Sequence, residues 1–184
     1  MKQNIFIAVR LTLVCLFVFV CVYTFLIYCF AQVAPNKGKG EIVMVNNKAV
    51  GYKIEGQKFT NDKYFNSRPS AVDYNAAGSA GSNKGPTNPD YLKTVQDRID
   101  TFLVHNPMVK KEQIPSELVT ASGSGLDPDL SSSAAYIQVA RIAGIRHVSS
   151  TKLDELVKSH INKSIFSPAR VNVLQLNIDL DKLK

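Results

Sequence analysis

The sequence predicts an α+β fold, with one N-terminal transmembrane helix followed by a single mixed α/β extracytoplasmic domain. Three observations lead to this prediction. No charged residue occurs from Leu11 to Ala31, whereas the chain after Pro35 is polar, charged and dotted with glycine. Helix-like and strand-like patterns then follow without the strand–helix–strand rhythm of a parallel sheet. The roughly 150 residues beyond the apolar segment are enough to form one ordinary core.

The apolar segment has the length of a membrane span. As a helix, residues 11–31 would extend about 31 Å, which matches the hydrocarbon thickness of a bilayer. The alternative is a cleaved signal peptide ending at Cys29-Phe30-Ala31, but the apolar run exceeds the roughly 7–15 residues of such signals. A buried core helix would show a polar face, and this segment has none. We therefore interpret it as a transmembrane anchor.

The predicted organisation is a cytoplasmic N-terminus at 1–10, the span at 11–31, a linker at 32–40 and an extracytoplasmic domain at 41–184. Lys2, Arg10 and the amino terminus precede the span, and Lys37, Lys39 and Lys48 follow it, so the flanking charges do not decide its orientation. A long folded domain is translocated largely regardless of its charge, and a short basic N-terminus favours the cytoplasm. We expect a single-pass protein with its N-terminus inside and its domain outside.

Charge and cysteine usage exclude several classes of function. The net charge is +7, but the basic residues are spread along the chain and accompany no groove-reading motif, so nucleic acid is not an expected partner. An attraction to the anionic headgroups of the lipid bilayer fits this charge. Cys15, Cys21 and Cys29 all lie within the span, which excludes disulfides and thiolate zinc sites from the domain.

The first half of the domain contains two clear elements. Strands at 42–45 and 49–54 flank a turn at 46–48, which predicts a hairpin. A long polar loop covers 65–89. A helix follows, with Thr87 or Asn88 as its cap, Pro89 in its first turn and an end at Asn106-Pro107. Its predicted apolar face consists of Leu92, Val95, Ile99, Phe102 and Leu103.

The second half begins with a glycine- and serine-rich loop at 120–129. A helix is predicted to start near Leu130 and run past Arg141, with its end weakened by Gly144. A further helix is predicted with Thr151 as its cap and Asp154 three residues on. Alternation of Leu174, Leu176, Ile178 and Leu180 with polar residues predicts a terminal strand with one buried face.

The sequence contains no recognisable catalytic motif. Residues 78–85 resemble a phosphate-binding loop but carry Asn83 in place of a glycine and Gly85 in place of the metal-binding hydroxyl. Ser122 and Ser124 lack the glycines of a nucleophile elbow. The three histidines, which we expect to be solvated, are His105, His147 and His160.

No metal site is predicted either. Asp127 and Asp129 flank Pro128 without the further carboxylates of a calcium loop. They fit the N-terminal cap of the following helix, where they would complement its dipole. A second hypothesis is that they lend negative charge to a cation path.

Three blocks of sequence resemble the C-subunit family of the Kdp potassium-transporting ATPase, the KdpC family. The first is 65–97, which contains RPSAVDYNAAGS. The second is 115–143, PSELVTASGSGLDPDLSSSAAYIQVARIA, and the third is 170–181, RVNVLQLNIDLD. With the single anchor, the likeness covers nearly the whole chain. The chain departs from the family pattern at Asn66-Ser67, where Trp-Gly is common, near Ser132, and at 144–147.

The resemblance implies a non-catalytic accessory subunit of a potassium uptake complex in the bacterial inner membrane. Its partners would be a potassium-channel-like subunit and a P-type ATPase catalytic subunit. ATP and potassium would be handled by the complex, and this chain would hold no cofactor. The family implies a role in assembly and activity, and a catalytic chaperone effect that raises ATP affinity and is linked to the glutamine matching Gln138.

The polar loops are the expected contact surface for these partners. The candidate residues are Arg68, Ser70, Asp73, Asn75, Ser79, Asn83, Ser122, Ser124 and Asp127. Arg68 has a second interpretation, in which it only clamps its own loop. Two alternative functions also remain open, a membrane-anchored extracytoplasmic hydrolase using Ser122 or Ser124 and a stand-alone interaction domain.

Overall fold

The structure is a computed structural model that describes residues 2–165 and 167–183. Met1 and Lys184, the ends of the predicted segments, lie outside the described residues, as does Phe166. The chain separates into two compact units, Met1–Glu41 and Ile42–Lys184.

The first unit is helical. Helix α1 (Lys2–Leu16) passes through a π-helical stretch (Phe17–Tyr23) into α2 (Thr24–Val33). Within it, Asn4–Val33 is the one helix of the described residues that is long and apolar enough to cross a membrane. The predicted N-terminal apolar helix is confirmed. A 3₁₀ turn at Pro35–Gly38 follows it.

The second unit opens with the predicted hairpin. Strands β1 (Ile42–Val45) and β2 (Lys48–Tyr52) pair antiparallel. Asn46 and Asn47 between them both have positive φ, 50° and 61°, as a two-residue turn of type I′ requires.

Helix α3 (Pro89–His105) also forms as predicted. The Asn88 side chain caps it by accepting from the Tyr91 N–H at 3.0 Å, and Asn106 ends it. None of its residues is fully buried, so its apolar face rests on the domain without being enclosed.

The core lies around a second, three-stranded antiparallel sheet of order β3-β5-β4. Its strands are β3 (Asp129–Ser131), β4 (Ile161–Ser164) and β5 (Ser167–Asn172). The accompanying helices are α4 (Ser132–Tyr136), α5 (Val139–Arg146), α6 (Ser150–Ser159) and α7 (Val173–Leu180). The described apolar side chains with no exposure at all are Phe65, Ala134, Ala135, Ile142, Leu153, Val157, Val171, Leu176 and Leu180. The predicted α+β class is confirmed.

Two helix starts differ from the prediction. Leu130 lies in β3, and the helix begins at Ser132, because the Ser131 hydroxyl accepts the Ala134 N–H at 3.2 Å and caps it. The cap of α6 is Ser149 and not Thr151, again through a hydroxyl that accepts a backbone N–H.

The predicted terminal strand is wrong, because residues 173–180 form helix α7. Asn172 caps this helix by accepting from the Gln175 N–H at 3.1 Å, three residues on. The residues that α7 buries are Val173, Leu174, Leu176, Asn177 and Leu180, which is a helical spacing. The strand lies just before them, at β5.

Candidate functional site

The two glycine-rich segments pack against each other. We call them loop A (residues 65–88) and loop B (residues 119–128). The Ser122 N–H of loop B donates to the Pro69 carbonyl at 3.1 Å. The Ser79 hydroxyl of loop A donates to the Ser124 carbonyl of loop B at 2.9 Å. The two loops therefore present one joint surface.

Gly125 is the point of closest approach between the loops. Its φ is +69°, a conformation that side-chain-bearing residues rarely adopt. A Cβ there would lie 2.6 Å from Val72 Cγ2 and 2.8 Å from the Ala80 carbonyl oxygen. Both the backbone conformation and the packing thus require glycine at this position.

Three other loop glycines are not required by the domain's own packing. A Cβ at any of them would meet no described atom within 4 Å, and none has a φ in the left-handed region. These open glycines are Gly78 and Gly85 in loop A and Gly123 in loop B. Their bare backbone faces open space.

Arg68 joins the two loops through its side chain. Its Nη1 lies 2.8 Å from Oδ2 of Asp127, and both side chains are about three-quarters buried, with 24% and 29% exposure. Its buried Nε has no hydrogen-bond partner among the described residues. Arg68 therefore joins loop A to loop B instead of clamping only its own loop, and its contact with a partner subunit stays a prediction.

Tyr74 holds the backbone of the same arginine. Its hydroxyl donates to the Arg68 carbonyl at 2.5 Å. Burial, with a smaller contribution from the charge of Asp73, raises the pKa of Tyr74 to about 12. The hydroxyl of Ser70 accepts the N–H groups of Val72 and Tyr74, at 3.1 and 2.9 Å, and so fixes this turn.

The remaining loop A candidates are exposed. Asp73 has 77% side-chain exposure and pairs with Lys58 at 2.6 Å. The Asn75 side chain accepts from the Ala77 N–H and caps a short 3₁₀ turn. Asn83 is exposed and has a φ of 51°.

The two loop B serines have structural bonds. Ser122 is only 3% exposed. The Ser124 hydroxyl accepts from the Leu126 N–H at 3.1 Å. Among the described residues, neither hydroxyl is hydrogen-bonded to a histidine; His105 pairs instead with Asp62 at 2.8 Å.

His160 does not fit the prediction of a solvated histidine. Its side chain is only 15% exposed, and Nε2 lies 2.9 Å from Asp179 Oδ2. Its Nδ1 lies 2.9 Å from the Leu156 carbonyl oxygen. His147 is exposed and in the left-handed conformation at the end of α5, in keeping with the prediction for it.

Gln138 is fully buried between α4 and α5. Its Oε1 accepts from the Asn66 N–H at 2.8 Å, and its Nε2 donates to the carbonyls of Ala134 and Asn66, at 3.0 and 3.3 Å. A direct contact with nucleotide would require this side chain to leave these bonds and become exposed.

Two further buried polar side chains hold the same segment as Gln138. Asn177 accepts from the Phe65 N–H at 2.9 Å and donates to the Phe65 carbonyl at 3.0 Å. The Arg141 guanidinium donates to the carbonyls of Asp62 and Tyr64. We call these three side chains, Gln138, Arg141 and Asn177, the polar clamp.

The polar clamp fixes the start of loop A against the core. Burial lowers the pKa of Arg141, and the charge of Asp62 opposes that shift. Neither Arg141 nor Asn177 was predicted from the sequence to be important. The available signal for Arg141 was a charged residue within 137–143, a stretch that is apolar apart from Gln138 and Arg141.

Asp127 and Asp129 do not cap the helix as predicted, because Ser131 does so. Asp127 instead accepts from Arg68 and from the Asp129 N–H. Burial, and then the neighbouring Asp127, raise the pKa of Asp129. Within residues 2–165 and 167–183, no group of three or more metal-ligating side chains could hold an ion. An influence of the two carboxylates on a cation path stays a prediction.

Comparison with known proteins gives one consistent result. Residues 5–182 match the KdpC family, described as the K+-transporting ATPase, c chain. A Flavobacterium johnsoniae protein named potassium-transporting ATPase KdpC subunit is 55% identical over 182 residues, which cover 99% of this chain and 100% of that protein. Proteins of the same name from Bacteroides fragilis and Caldanaerobacter subterraneus are 47% and 40% identical. They cover 96% and 98% of this chain, and 96% and 95% of their own length.

Proposed function

We propose that this chain, which belongs to the KdpC family, the c chain of the K+-transporting ATPase, serves in that complex as a non-catalytic accessory subunit. It is needed for assembly and for the activity of the subunit that hydrolyses ATP. Its partners are a potassium-channel-like subunit and a P-type ATPase catalytic subunit. The joint surface of loops A and B is the observation that carries the proposal.

The open glycines support docking through this surface. The domain's own fold does not explain glycine at 78, 85 and 123, because a Cβ there would meet nothing within 4 Å. A glycine lets another chain approach the backbone closely. Exposed polar side chains beside them, such as Asp73 and Asn83, supply further hydrogen-bonding groups. Internal bonds hold both loops in place, so docking requires little additional ordering.

Any effect on ATP affinity is proposed to pass through this docking and not through a nucleotide contact. The support is the position of Gln138, whose side-chain amide is buried and hydrogen-bonded through both its oxygen and its nitrogen. Gln138 then contributes by holding the start of loop A in its docking conformation. ATP and potassium are bound by the partner subunits.

The proposed location is the bacterial inner membrane, with the N-terminus in the cytoplasm and the domain outside. Its test uses Lys84→Cys, an exposed loop A position, after replacement of the span cysteines Cys15, Cys21 and Cys29 by alanine. A membrane-impermeant maleimide added to spheroplasts should label this cysteine. Labelling only after the membrane is permeabilised would place the domain in the cytoplasm and overturn the proposal.

The docking proposal is tested with two matched glycine substitutions. Gly123→Leu adds a side chain to the open face of loop B, and Gly144→Leu adds the same side chain to an open position on α5. Both variants should fold like the original chain. Only Gly123→Leu should lose co-purification with the two large subunits and potassium-stimulated ATPase activity. Normal assembly and activity of Gly123→Leu would refute docking through the loops.

A further inference from the structure

A cleft lies between helix α3 and residues 59–67, and we call it the α3 cleft. Its volume is about 450 Å³, which is within the range of small-molecule sites. The apolar side chains that line it are Phe59, Phe102 and Leu118. Leu118 belongs to the buried core, and the two phenylalanines pack against that core while staying half-buried. The cleft therefore offers an apolar surface that the domain leaves partly uncovered.

Most polar side chains along the cleft are already bonded within the domain. The hydroxyls of Thr94 and Thr101 donate to backbone carbonyls of their own helix, at 2.9 and 2.8 Å. The Ser67 hydroxyl also donates to a backbone carbonyl, at 2.8 Å. His105 and Asp62 pair with each other at 2.8 Å. The fold itself explains these polar groups, and they do not require a ligand.

The charges of Asp97 and Arg98, which also line the cleft, are not explained in this way. Arg98 is half-buried, and of its several N–H donors only Nη1 bonds to a described residue, donating to the Val119 carbonyl at 3.1 Å. The Asp97 carboxylate has no hydrogen bond or ion pair within residues 2–165 and 167–183. Adjacent residues of a helix do not face each other, so the two charges reach the cleft separately.

These charges indicate the kind of molecule that fits. An anion alone would leave the Asp97 carboxylate unpaired beside it, and a cation alone would leave the Arg98 guanidinium unpaired. A zwitterion with a carboxylate and an ammonium group supplies a partner to both, and charge-assisted hydrogen bonds of this kind are the stronger ones. An apolar side chain on the same molecule would cover the exposed parts of Phe59 and Phe102.

We propose that the α3 cleft binds a small zwitterion with an apolar body, of the class of the apolar α-amino acids. Its carboxylate accepts from Arg98, its ammonium group donates to Asp97, and its side chain packs against the two phenylalanines. The bound molecule joins α3 to the segment that leads into loop A and so stabilises the folded domain. The site does not depend on docking through loops A and B.

Titration calorimetry on the full-length chain in detergent tests the site, with L-phenylalanine as the probe. Three analogues each lack one feature: 3-phenylpropionate lacks the ammonium group, 2-phenylethylamine lacks the carboxylate, and glycine lacks the apolar side chain. Phenylalanine should bind in the millimolar range or more tightly. Each analogue should bind at least about tenfold more weakly, because one charged hydrogen bond or the apolar contact is lost.

Matched substitutions separate the two charges and locate the site. Asp97→Asn should weaken phenylalanine binding about tenfold and leave 3-phenylpropionate binding unchanged. Arg98→Gln should weaken phenylalanine binding by a similar factor and leave 2-phenylethylamine binding unchanged. Thr101→Trp fills the cleft from an exposed position of α3 and should abolish binding. Val104→Trp places the same ring on α3 outside the cleft, where the residue is 79% exposed, and should bind phenylalanine like the original chain.

Failure of phenylalanine to bind, or equal binding of phenylalanine and its three analogues, would overturn the proposal. Binding that survives Thr101→Trp would place the molecule elsewhere and would overturn it as well. Phenylalanine that binds the isolated chain but not the assembled ATPase would show that a partner subunit covers the cleft, which also contradicts the proposal.

Discussion

Arg68 and Asp127 lie on different glycine-rich loops, and their side chains meet at 2.8 Å in a site that is about three-quarters buried. The pair unites two segments that are 59 residues apart in the chain. Since Tyr74 fixes the Arg68 carbonyl at the same time, this one residue holds loop A by both its backbone and its side chain. The shape of the joint surface therefore depends on contacts that the chain makes with itself.

Removing either member of this pair should destabilise the domain. Arg68→Ala and Asp127→Ala are each expected to lower the free energy of unfolding by about 1–3 kcal/mol, because the partner charge stays partly buried without its bond. The double variant should cost less than the sum of the two. Urea unfolding of the detergent-solubilised chain measures all three values.

The exposed pair Lys58–Asp73 is the control, and Lys58→Ala should change stability by about 1 kcal/mol or less. Strict additivity of Arg68→Ala and Asp127→Ala would show that the contact has no energetic role.

The polar clamp should matter for stability and not for nucleotide binding. Asn177→Ala leaves the Phe65 N–H and carbonyl buried without partners, which is expected to cost about 2–5 kcal/mol. Gln138→Ala removes the hydrogen bonds to the Asn66 N–H and carbonyl in the same way. Thermal unfolding should show both losses, whereas Gln96→Ala, on the exposed side of α3, should stay within about 0.5 kcal/mol.

The rival idea, direct contact of Gln138 with ATP, makes a different prediction. Gln138→Ala would then raise the KM for ATP of the assembled complex and leave the unfolding temperature of the chain unchanged. That combination of results would contradict a structural role.

Gly125 and Gly123 should respond in opposite ways to the same substitution. Gly125→Ala puts a methyl group 2.6 Å from Val72 at a φ of +69°, so we expect a loss of about 2–4 kcal/mol. Gly123→Ala meets open space and restricts the unfolded chain, so its effect should lie between zero and a gain of about 1 kcal/mol. Chemical unfolding of the two variants side by side tests this, and similar losses for both would be incompatible with the loop packing described.

Asp179 should make the domain sensitive to acid. A hydrogen bond from Lys182 lowers the pKa of Asp179 below its usual 3.8; burial opposes this shift, and His160 adds to it. A carboxylate with a depressed pKa contributes stability above pH 3.8, and this contribution is lost as the pH falls through the folded-state value. The urea midpoint should therefore drop on acidification below that pH.

Asp179→Asn should lower the urea midpoint at neutral pH and should make that midpoint fall less steeply below pH 3.8. Asp154→Asn removes the same charge from the exposed face of α6 and should keep the fall of the midpoint as steep as in the original chain. An equally steep fall in Asp179→Asn and in the original chain would rule out this source of pH dependence.

Much of the fold followed from local patterns. The charge-free run at 11–31, the Asn-Asn turn between β1 and β2, and the Asn88-Pro89 start of α3 each identify their element without help from the rest of the chain. The family resemblance read from three sequence blocks is confirmed by the match over residues 5–182.

The error at the C-terminus has a physical cause. Leu174, Leu176 and Leu180 fit the alternation of a strand, whereas Val173, Leu176, Asn177 and Leu180 have the i, i+3, i+4, i+7 spacing of a helix. The two patterns share Leu176 and Leu180, so hydrophobic spacing alone could not decide. The deciding signal was the cap of α7, since Asn172 precedes Gln175 by three residues, as in a capping box. Val171 lies in β5 and Val173 is the first residue of α7, which explains why these two residues did not fit the alternation of the predicted strand.

The sequence could predict which residues belong to the candidate site, but not which contacts they make. Polar loop residues such as Arg68 and Ser79 were recognised by the resemblance, but which loop each one bonds to depends on contacts between distant parts of the chain. Arg141 and Asn177 were missed for the same reason, because a buried polar residue is distinguished from a solvated one only by its surroundings.

The central claim, that the loop surface docks onto a partner subunit, is tested most directly by cross-linking in the assembled ATPase. Lys84→Cys in loop A and Lys158→Cys on α6, both exposed, are labelled with a benzophenone maleimide in the chain without span cysteines. Irradiation should link position 84, and not position 158, to the potassium-channel-like subunit. Cross-links from position 158 alone would contradict the account.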